Sequence, residues 1–453
     1  MFGDERGCCF LVFSSFLEEE LDEGLDFPAI PLFDLLLCLA EVVDLVSPRL
    51  FDHHLKVGYL AYRLGEAMGF PERGQEQLLF AGLIHDSGAF SLKERLEALE
   101  FEFSNLHYHA FVAHLLFKEF SFLPEISRIL LFHHLPWEGG KGSYWQGDRV
   151  PLESHVLHFA DRLSILFKAD NEPLEEVRRV GEILREHVPE IFHPEVFEAF
   201  SSLLARDYVW FDFSSRDLHR IILENASPQK KCVNPSDFLA LVKLVSHLID
   251  FRSPFTVTHS AGVAQVALFL SKLVGLEKNK RFLFFGITFL HDLGKLAIPL
   301  EILEKAGPLT QKEHNIVRSH PYYTYRALAS VPSLRVPARW AAEHHERLNG
   351  GGYPFGLKGE EISLESRIVA VADVFVALCE DRPYRKGLSR AEVKEILGRL
   401  ASEGNLDESL ISLLFENLDE IDETRKIAQE EAVREYQMFR SRLKDFRNKF
   451  FPK

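Results

Sequence analysis

Residues 259–275 read HSAGVAQVALFLSKLVG, and their apolar side chains recur at intervals of three and four residues. This spacing is typical of a helix with one buried face. The glycine at the end of the stretch suits a helix C-terminus. Residues 53–69, HHLKVGYLAYRLGEAMG, have the same length, pattern and terminal glycine. The faces predicted to be buried are Val263, Val266, Leu270 and Leu273 in one stretch, and Val57, Leu60, Leu64 and Ala67 in the other.

The two stretches begin an ordered series of matches that indicates a tandem duplication. In each copy a histidine is followed 32 residues later by adjacent His and Asp, then by one His, a His pair and an Asp. Helical periodicity dominates both copies and strand signals are scarce, so we predict an all-α fold of two tandem helical bundles. The paired positions are His53 and His259, His85 and His291, Asp86 and Asp292, His109 and His320, His133 and His344, His134 and His345, and Asp161 and Asp373.

The duplication also predicts the domain organisation. A polar stretch with two prolines, ENASPQKKCVNPSD, separates the copies and reads as a linker. The charged sequence after residue 415 predicts one long helix, which either caps the second domain or binds a partner. The predicted segments are an N-terminal segment at 1–29, a first domain at 30–210, a linker at 211–237, a second domain at 238–415 and a C-terminal helix at 416–453.

Composition excludes several classes of protein. The 453 residues carry a formal net charge of −16, which argues against a general nucleic-acid binder because that function needs a basic face. The five cysteines are odd in number and form no CxxC pair, as expected in a reducing compartment. We find no signal peptide and no run of eighteen apolar residues, so we expect a cytoplasmic protein that binds neither DNA nor membranes.

The candidate ligands of the second copy are five imidazoles and two carboxylates, without a thiolate. Such nitrogen and oxygen ligands suit Fe, Mn, Co, Ni or Zn. Seven ligands are enough for two ions, since the two oxygens of Asp292 can bridge them. Paired ions roughly 3.5–4 Å apart promote in-line hydrolysis of phosphoesters. They acidify a bridging water and neutralise the charge that develops on phosphorus.

Three stretches of the second copy resemble the HD-GYP domain, a branch of the HD-domain metal-dependent phosphohydrolases. The resemblance covers about 245–410, and it implies an all-α bundle that hydrolyses cyclic di-GMP, a bacterial second messenger, to the linear dinucleotide pGpG or to GMP. The stretches are HDLGKLAIP at 291–299, HHERLNGGGYPFGLKGEEI at 344–362 and RIVAVADVFVALCEDRPYR at 367–385.

The resemblance implies two divalent metal ions, with Fe or Mn as the first choice and Zn, Co or Ni as alternatives. Asp292 bridges the two ions and is a catalytic residue. The ligands implied are His259, His291, Asp292 and Asp373 for one ion, and Asp292, His320, His344 and His345 for the other.

The resemblance also implies how the substrate binds. Lys295 contacts the scissile phosphate or assists proton transfer, and is the second catalytic residue. Arg382 and Arg385 hold the other phosphate and a guanine base. Glu346 is expected to orient a histidine. The loop signature that gives the family its name is Gly352, Tyr353 and Pro354.

This sequence departs from the family pattern at three positions. Asn349 and Val376 both stand where the family usually has Asp, and neither position is a metal ligand in the family. Loss of the carboxylate at 376 is expected to weaken the tuning of the site. Phe255 stands where some relatives have an acidic ligand for a third ion, so we expect two ions only.

The first copy resembles a degenerate HD domain. It keeps all seven ligand positions but has Ala89 where Lys295 stands, and it lacks both the GYP loop and the RPYR motif. Other histidines lie nearby in the sequence at 54, 107 and 155, so the assignment of individual ligands stays open. We expect a metal site there with a sensory role, or an inert scaffold. Its candidate ligands are His53, His85, Asp86, His109, His133, His134 and Asp161.

The leading hypothesis is a cyclic-dinucleotide phosphodiesterase in which the second domain is catalytic. One alternative is an inactive or weak signalling module that binds a cyclic dinucleotide or a GGDEF-type cyclase. Another is an HD phosphohydrolase that acts on a nucleotide monoester or on a different cyclic dinucleotide such as cyclic GMP-AMP. A second copy of the chain, forming a homodimer, is a further candidate partner.

Overall fold

The computed structural model is helical throughout, with one two-stranded hairpin among the residues it describes. This confirms the predicted all-α class. The chain divides into two compact units, one of residues 31–232 and one of residues 233–453 together with 1–30. The structure describes residues 25–45, 52–89, 107–118, 124–168, 170–226, 231–251, 257–305, 307–381 and 386–450.

The described part of the first unit contains ten α-helices, a 3₁₀ helix at Glu138–Ser143 and a hairpin of β1, Tyr144–Trp145, and β2, Asp148–Arg149. Helix α2 packs on both α3 and α6. The helices are α1 Leu32–Asp44, α2 His53–Ala67, α3 Glu72–Ile84, α4 His107–Phe117, α5 Pro124–Phe132, α6 Leu152–Leu166, α7 Pro173–Arg185, α8 Pro194–Leu203, α9 Asp207–Phe213 and α10 Leu218–Ala226.

The described part of the second unit contains eleven α-helices and 3₁₀ helices at Leu293–Ala297, Pro332–Leu334 and Gly359–Glu361. Helix α12 is central, because it packs on α13, α18 and α21. The helices are α11 Pro235–Asp250, α12 His259–Leu273, α13 Lys278–Phe289, α14 Leu300–Leu303, α15 Gln311–Val317, α16 His320–Ser330, α17 Pro337–Ala342, α18 Leu364–Cys379, α19 Arg390–Ser402, α20 Glu408–Glu416 and α21 Leu418–Phe450.

The two opening stretches form the equivalent helices α2 and α12, and both end as predicted. Gly69 and Gly275 have φ values of +74° and +75°, the left-handed conformation that closes a helix. Val263, Val266 and Leu270 lie in the core of the second unit. Leu273, in contrast, is 39% exposed, so the buried face of α12 ends one turn earlier than expected.

Most of the predicted linker is helical instead. Part of α9 and all of α10 lie within it, and Leu218 and Ile222 of α10 are buried against the first unit because they share one helical face. Pro235 occupies the first turn of α11, whose N-terminus is capped by the Asn234 side chain. Pro235 thus marks a helix boundary, and Pro228 lies outside the described residues. The outer limits of the two domains stay predictions.

The C-terminal sequence forms the single charged helix that was predicted, α21. It packs against α12 of the second unit, with Ile421, Ala428 and Ala432 buried. Within the part of the chain that the structure describes, no helix has the length and hydropathy that a membrane span requires.

Candidate metal centres and their relatives

The second unit brings all seven predicted ligands to one point. His259 begins α12, and His291 and Asp292 follow directly after α13. His320 begins α16. The remaining ligands are the pair His344–His345, just after α17, and Asp373, in the middle of α18.

Asp292 lies between two groups of these ligands. Its Oδ2 is 3.3 Å from Nε2 of His291 and 3.9 Å from Nε2 of His259. Its Oδ1 is 3.2 Å from Nε2 of His320, on the other side. The Nε2 atom of His259 is also 3.1 Å from Oδ1 of Asp373. Asp292 is therefore placed to bridge two cations through its two oxygens.

The ligand atoms are close enough to share metal ions. Two buried atoms of the centre have no hydrogen-bond partner among the described residues. They are Nε2 of His291 and Oδ1 of Asp292. Buried polar atoms without partners are costly, so these two fit a bound cation. Three sets have one ligand atom per residue within 4.8 Å of all the others, namely His259, His291 and Asp373; His291, Asp292 and His344; and His320, His344 and His345.

Hydrogen bonds fix the orientation of the imidazoles. Nδ1 of His291 lies 2.9 Å from the carbonyl oxygen of Thr288, and His320 and His344 make the same contact to the carbonyl three residues earlier. A carbonyl only accepts, so Nδ1 donates and Nε2 keeps its lone pair. That arrangement is typical of histidines that bind metals through Nε2.

The electrostatics of the centre favour a neutral His344 beside a charged Asp292. Burial lowers the pKa of His344 to about 3, with His291 adding to the effect. Burial alone would raise the pKa of Asp292, but Lys295 and His291 outweigh it and hold that pKa well below its usual value. Both protonation states are those that bind divalent cations.

Lys295 lies on the 3₁₀ turn that follows the His-Asp pair. Its Nζ is 2.5 Å from Oδ2 of Asp292, and its side chain is 20% exposed. The turn fits closely against α16, because a Cβ on Gly294 would lie 2.0 Å from the carbonyl oxygen of His320. Gly88 has the same relation to His109 in the first unit. This explains the shared glycine of HDLG and HDSG.

The first unit brings its seven predicted ligands together in the same way. Asp86 Oδ1 is 3.2 Å from Nε2 of His109, and Asp86 Oδ2 is 3.4 Å from Nε2 of His85. Nε2 of His53 is 3.4 Å from Oδ1 of Asp161. The two sets within 4.8 Å are Asp86, His109, His133 and His134, and His53, His85 and Asp86.

The first centre differs from the second in its charges. Arg162 donates from Nε and Nη2 to Oδ2 of Asp161, at 3.1 and 2.6 Å, and both side chains are almost fully buried. Burial lowers the pKa of His133 to about 4. Burial also acts to lower the pKa of His85, but Asp86 and Asp161 raise it to about 9.

Comparisons with known proteins agree with this duplicated architecture. The HD-domain family matches twice, over residues 50–166 and over residues 243–410. The 3′3′-cGAMP-specific phosphodiesterase 1 of Vibrio cholerae is 32% identical over 394 residues, which cover 84% of this chain and 90% of that protein. The chain belongs to the HD-GYP family.

Two further relatives extend the comparison. The cyclic di-GMP phosphodiesterase response regulator RpfG of Xanthomonas campestris is 40% identical over 144 residues, 31% of this chain and 38% of that protein. A crystal structure of a cyclic GMP-AMP-specific phosphodiesterase of V. cholerae has a TM-score of 0.62 at 19% identity, covering 86% of this chain and 98% of that one. HD-domain phosphohydrolases depend on metals, and the two His/Asp clusters described above could bind them.

The HD-GYP loop packs directly on the second metal centre. The ring centroid of Tyr353 is 4.9 Å from that of His345, and its amide donates to the His345 carbonyl. The peptide between Tyr353 and Pro354 is cis. A Cβ on Gly352 would lie 2.4 Å from the backbone of Glu346, so only glycine fits there.

Glu346 holds this loop and does not orient a histidine as expected. Its carboxylate is buried and accepts three backbone hydrogen bonds, at 2.7, 3.2 and 3.0 Å. Both oxygens are occupied by amides because the loop turns back over the side chain. The donors are the amides of Phe355, Gly356 and Leu357.

The two departures from the HD-GYP pattern have local explanations. Asn349 donates from Nδ2 to the Glu403 carbonyl and to Oδ1 of Asn405, which an aspartate cannot do. Val376 is fully buried in the apolar core of the second unit, where a charge would be unfavourable. Phe255, the third departure, lies outside the described residues.

Sequence reasoning missed two residues behind the centre. Glu380, one turn after Val376, accepts from Nδ1 of His259 at 3.0 Å. Gln429 of α21 donates to Glu380 at 2.7 Å. A carboxylate behind a histidine is a recurrent partner of metal sites, but the distance along the chain hides this contact.

The predicted phosphate ligands Arg382 and Arg385 lie outside the described residues. Among those described, Arg318 places its guanidinium 4.4 Å from the ring centroid of Tyr353. Burial raises the pKa of Tyr353 to about 12, so its hydroxyl stays protonated.

Proposed function

We propose that the second HD domain hydrolyses a phosphodiester bond of a cyclic dinucleotide, using two divalent metal ions held by the seven clustered ligands. The observation that carries this proposal is the position of Asp292 between two ligand groups, with one oxygen facing each. The names of the relatives supply the substrate class, since they include phosphodiesterases specific for cyclic di-GMP and for 3′3′-cGAMP. We take cyclic di-GMP as the first substrate to test, with pGpG or GMP as the product.

The bound ions would supply an acidified water and positive charge beside the phosphorus. His259, His291 and Asp373 would hold the ion on one side of Asp292. His320, His344 and His345 would hold the ion on the other side. Fe or Mn is the first choice that the family resemblance implies, and Zn, Co and Ni are alternatives that suit the same nitrogen and oxygen ligands.

The remaining residues orient the substrate. Lys295 reaches solvent beside Asp292, so its ammonium can bind the scissile phosphate or give a proton to the leaving oxygen. The protonated Tyr353 hydroxyl can donate a hydrogen bond at the mouth of the centre. Arg382 and Arg385 would bind the second phosphate and a guanine base, as the motif implies.

Turnover with defined metal content tests the proposal. The full chain is loaded anaerobically with Fe(II) or Mn(II), its metal content is measured, and cyclic di-GMP and 3′3′-cGAMP are supplied in parallel. Linear products from the wild type but not from Asp292→Ala would support the phosphodiesterase. No product from a protein that carries both ions would overturn it in favour of a module that binds cyclic dinucleotides or a cyclase. The ratio of the two rates identifies the preferred substrate.

The partners require a separate test. A GGDEF-type cyclase and a second copy of the chain are both proposed as partners. Light scattering of the purified chain alone measures whether it forms a dimer. Light scattering of a mixture with a cyclase domain measures whether the two bind. A monomer that binds no cyclase would remove both partners from the proposal.

A further inference from the structure

The first unit contains a compact set of four ligands that is complete without Asp161. One ligand atom from each of Asp86, His109, His133 and His134 lies within 4.8 Å of the other three. All four side chains are more than nine-tenths buried. Nε2 of His109 is 2.9 Å from Nε2 of His134 and 3.2 Å from Oδ1 of Asp86, and Nε2 of His133 is 3.9 Å from the same oxygen.

These distances match a four-coordinate ion. Ligand atoms bound at 2.0–2.1 Å in a tetrahedron lie about 3.3 Å from each other. The observed separations fall on either side of that value. Imidazole nitrogens and carboxylate oxygens are both ligands that zinc binds in proteins.

Buried atoms without a hydrogen bond to a described residue occur in this set, as they do at Nε2 of His53, Nε2 of His85 and Oδ1 of Asp161 in the other half of the centre. Oδ1 of Asp86 and Nε2 of His133 are buried and make no hydrogen bond among the described residues. Nδ1 of His133 is 2.6 Å from the Leu130 carbonyl, so Nε2 carries the lone pair. A cation at this position would satisfy both atoms.

The other half of the centre already contains a positive charge. Arg162 binds Asp161 through two nitrogens at the position that Val374 occupies in the second unit. A divalent ion bound by Asp161 would therefore lie beside a buried guanidinium, where repulsion is strong. The charges of Asp161 and Arg162 offset each other, which leaves Asp86 as the ligand carboxylate available to a cation.

We propose that the first unit binds a single divalent metal ion through Asp86, His109, His133 and His134, and that Arg162 replaces a second ion. With four protein ligands and no exposed side chain, the site leaves no position for water or substrate. Its ion stabilises the first unit, as structural zinc sites do. This inference does not depend on turnover in the second unit.

Metal content of matched variants tests the inference. The full chain is purified with Zn(II), and ions per chain are counted by mass spectrometry for the wild type and each variant. We expect His134→Gln to lose one ion and His53→Gln to lose none. Arg162→Val, which introduces the residue of the second unit, should gain one ion. Circular dichroism verifies that each variant is folded.

Each outcome decides the proposal. Loss of an ion from His53→Gln but not from His134→Gln would place the ion in the other half of the centre and overturn it. Equal metal content in both variants and the wild type would show that the first unit binds no ion. No additional ion in Arg162→Val would remove the role given to Arg162. If His134→Gln does not fold, His134→Cys keeps a zinc ligand and should retain the ion, whereas His134→Ser should lose it.

Cobalt substitution gives an independent measurement. Four-coordinate Co(II) absorbs visible light much more strongly than six-coordinate Co(II). We expect an intense band in the wild type that disappears in His134→Ser and persists in Asp292→Ala. A band that disappears only in Asp292→Ala would assign it to the second unit and contradict the proposal.

Discussion

The two HD centres share the same seven ligand positions but differ in access. In the second unit, the side chains of His345, Asp373 and Lys295 are 21%, 12% and 20% exposed. In the first unit, the matching positions are closed, since Asp161 is 1% exposed and Ala89 is fully buried. A substrate phosphate can reach only an open centre. The comparison indicates that access, as well as the ligand set, distinguishes the two centres.

The charges of the two centres differ as well. Lys295 in the second unit pairs with Asp292 but is 20% exposed and can reach a substrate, whereas Arg162 in the first is buried against Asp161. The second unit also has Glu380 behind His259, which adds negative charge beside the ions. The second centre is therefore suited to two ions and an anionic substrate, and the first to one ion.

Removal of the bridge should have the largest effect. We expect Asp292→Ala to bind neither ion of the second unit and to lose about a thousandfold or more in kcat, because two ions contribute several kcal/mol to the transition state. Metal counting and chromatography of products measure this. Asp217→Ala, which removes an exposed carboxylate of the first unit, is the control. Retention of both ions by Asp292→Ala would show that Asp292 is not a bridge.

Loss of the lysine should separate binding of metal from turnover. We expect Lys295→Ala to keep both ions and to lose about 10²- to 10³-fold in kcat, the usual cost of losing one group that stabilises developing charge. Lys394→Ala, at an exposed position of α19, should keep the wild-type rate. Loss of an ion from Lys295→Ala would contradict the role proposed for it.

Much of this comparison could be predicted from the sequence. Helical periodicity and the aligned histidines identified both bundles, and adjacent pairs such as His291–Asp292 identified candidate ligands that the structure brings together. Local patterns succeed here because most of these residues lie at or near helix ends, whereas Asp161 and Asp373 lie within helices. The short helix within the predicted linker was not foreseen, because two apolar residues, Leu218 and Ile222, are too few to indicate a helix.

Other features depend on contacts between distant residues. The pairing of Glu380 with Gln429 joins α18 to α21, and no local pattern encodes it. Glu346 lies beside two ligands, yet its partners are backbone amides that any sequence could supply. Arg162 looks like an ordinary helix residue until burial places it on Asp161.

A change at Glu380, the carboxylate that accepts from His259, should alter metal affinity in the second unit only. We expect Glu380→Gln to weaken metal affinity by about 10- to 100-fold, as is usual when the hydrogen-bond partner of a ligating histidine is changed. Titration with Mn(II) monitored by calorimetry measures this. Glu416→Gln, an exposed change on α20, should leave the affinity unaltered. A loss of turnover at full metal occupancy would instead implicate Glu380 in substrate binding.

Restoring the family residue at 349 should have the smallest effect. Asn349→Asp removes two hydrogen bonds, to Glu403 and Asn405, and places a carboxylate beside a carbonyl oxygen. We expect the free energy of unfolding to fall by about 1 kcal/mol, with unchanged metal content. Urea denaturation compares it with Asn349→Ala, which loses these two hydrogen bonds and also the one that Oδ1 accepts from the Gly351 amide at 2.9 Å. A lower free energy of unfolding for Asn349→Asp than for Asn349→Ala would show that the added charge costs more than the lost hydrogen bonds. If Asn349→Asp instead raised turnover at equal stability, residue 349 would act on substrate. Because the first unit lacks this loop, such a result would add a further difference between the two centres.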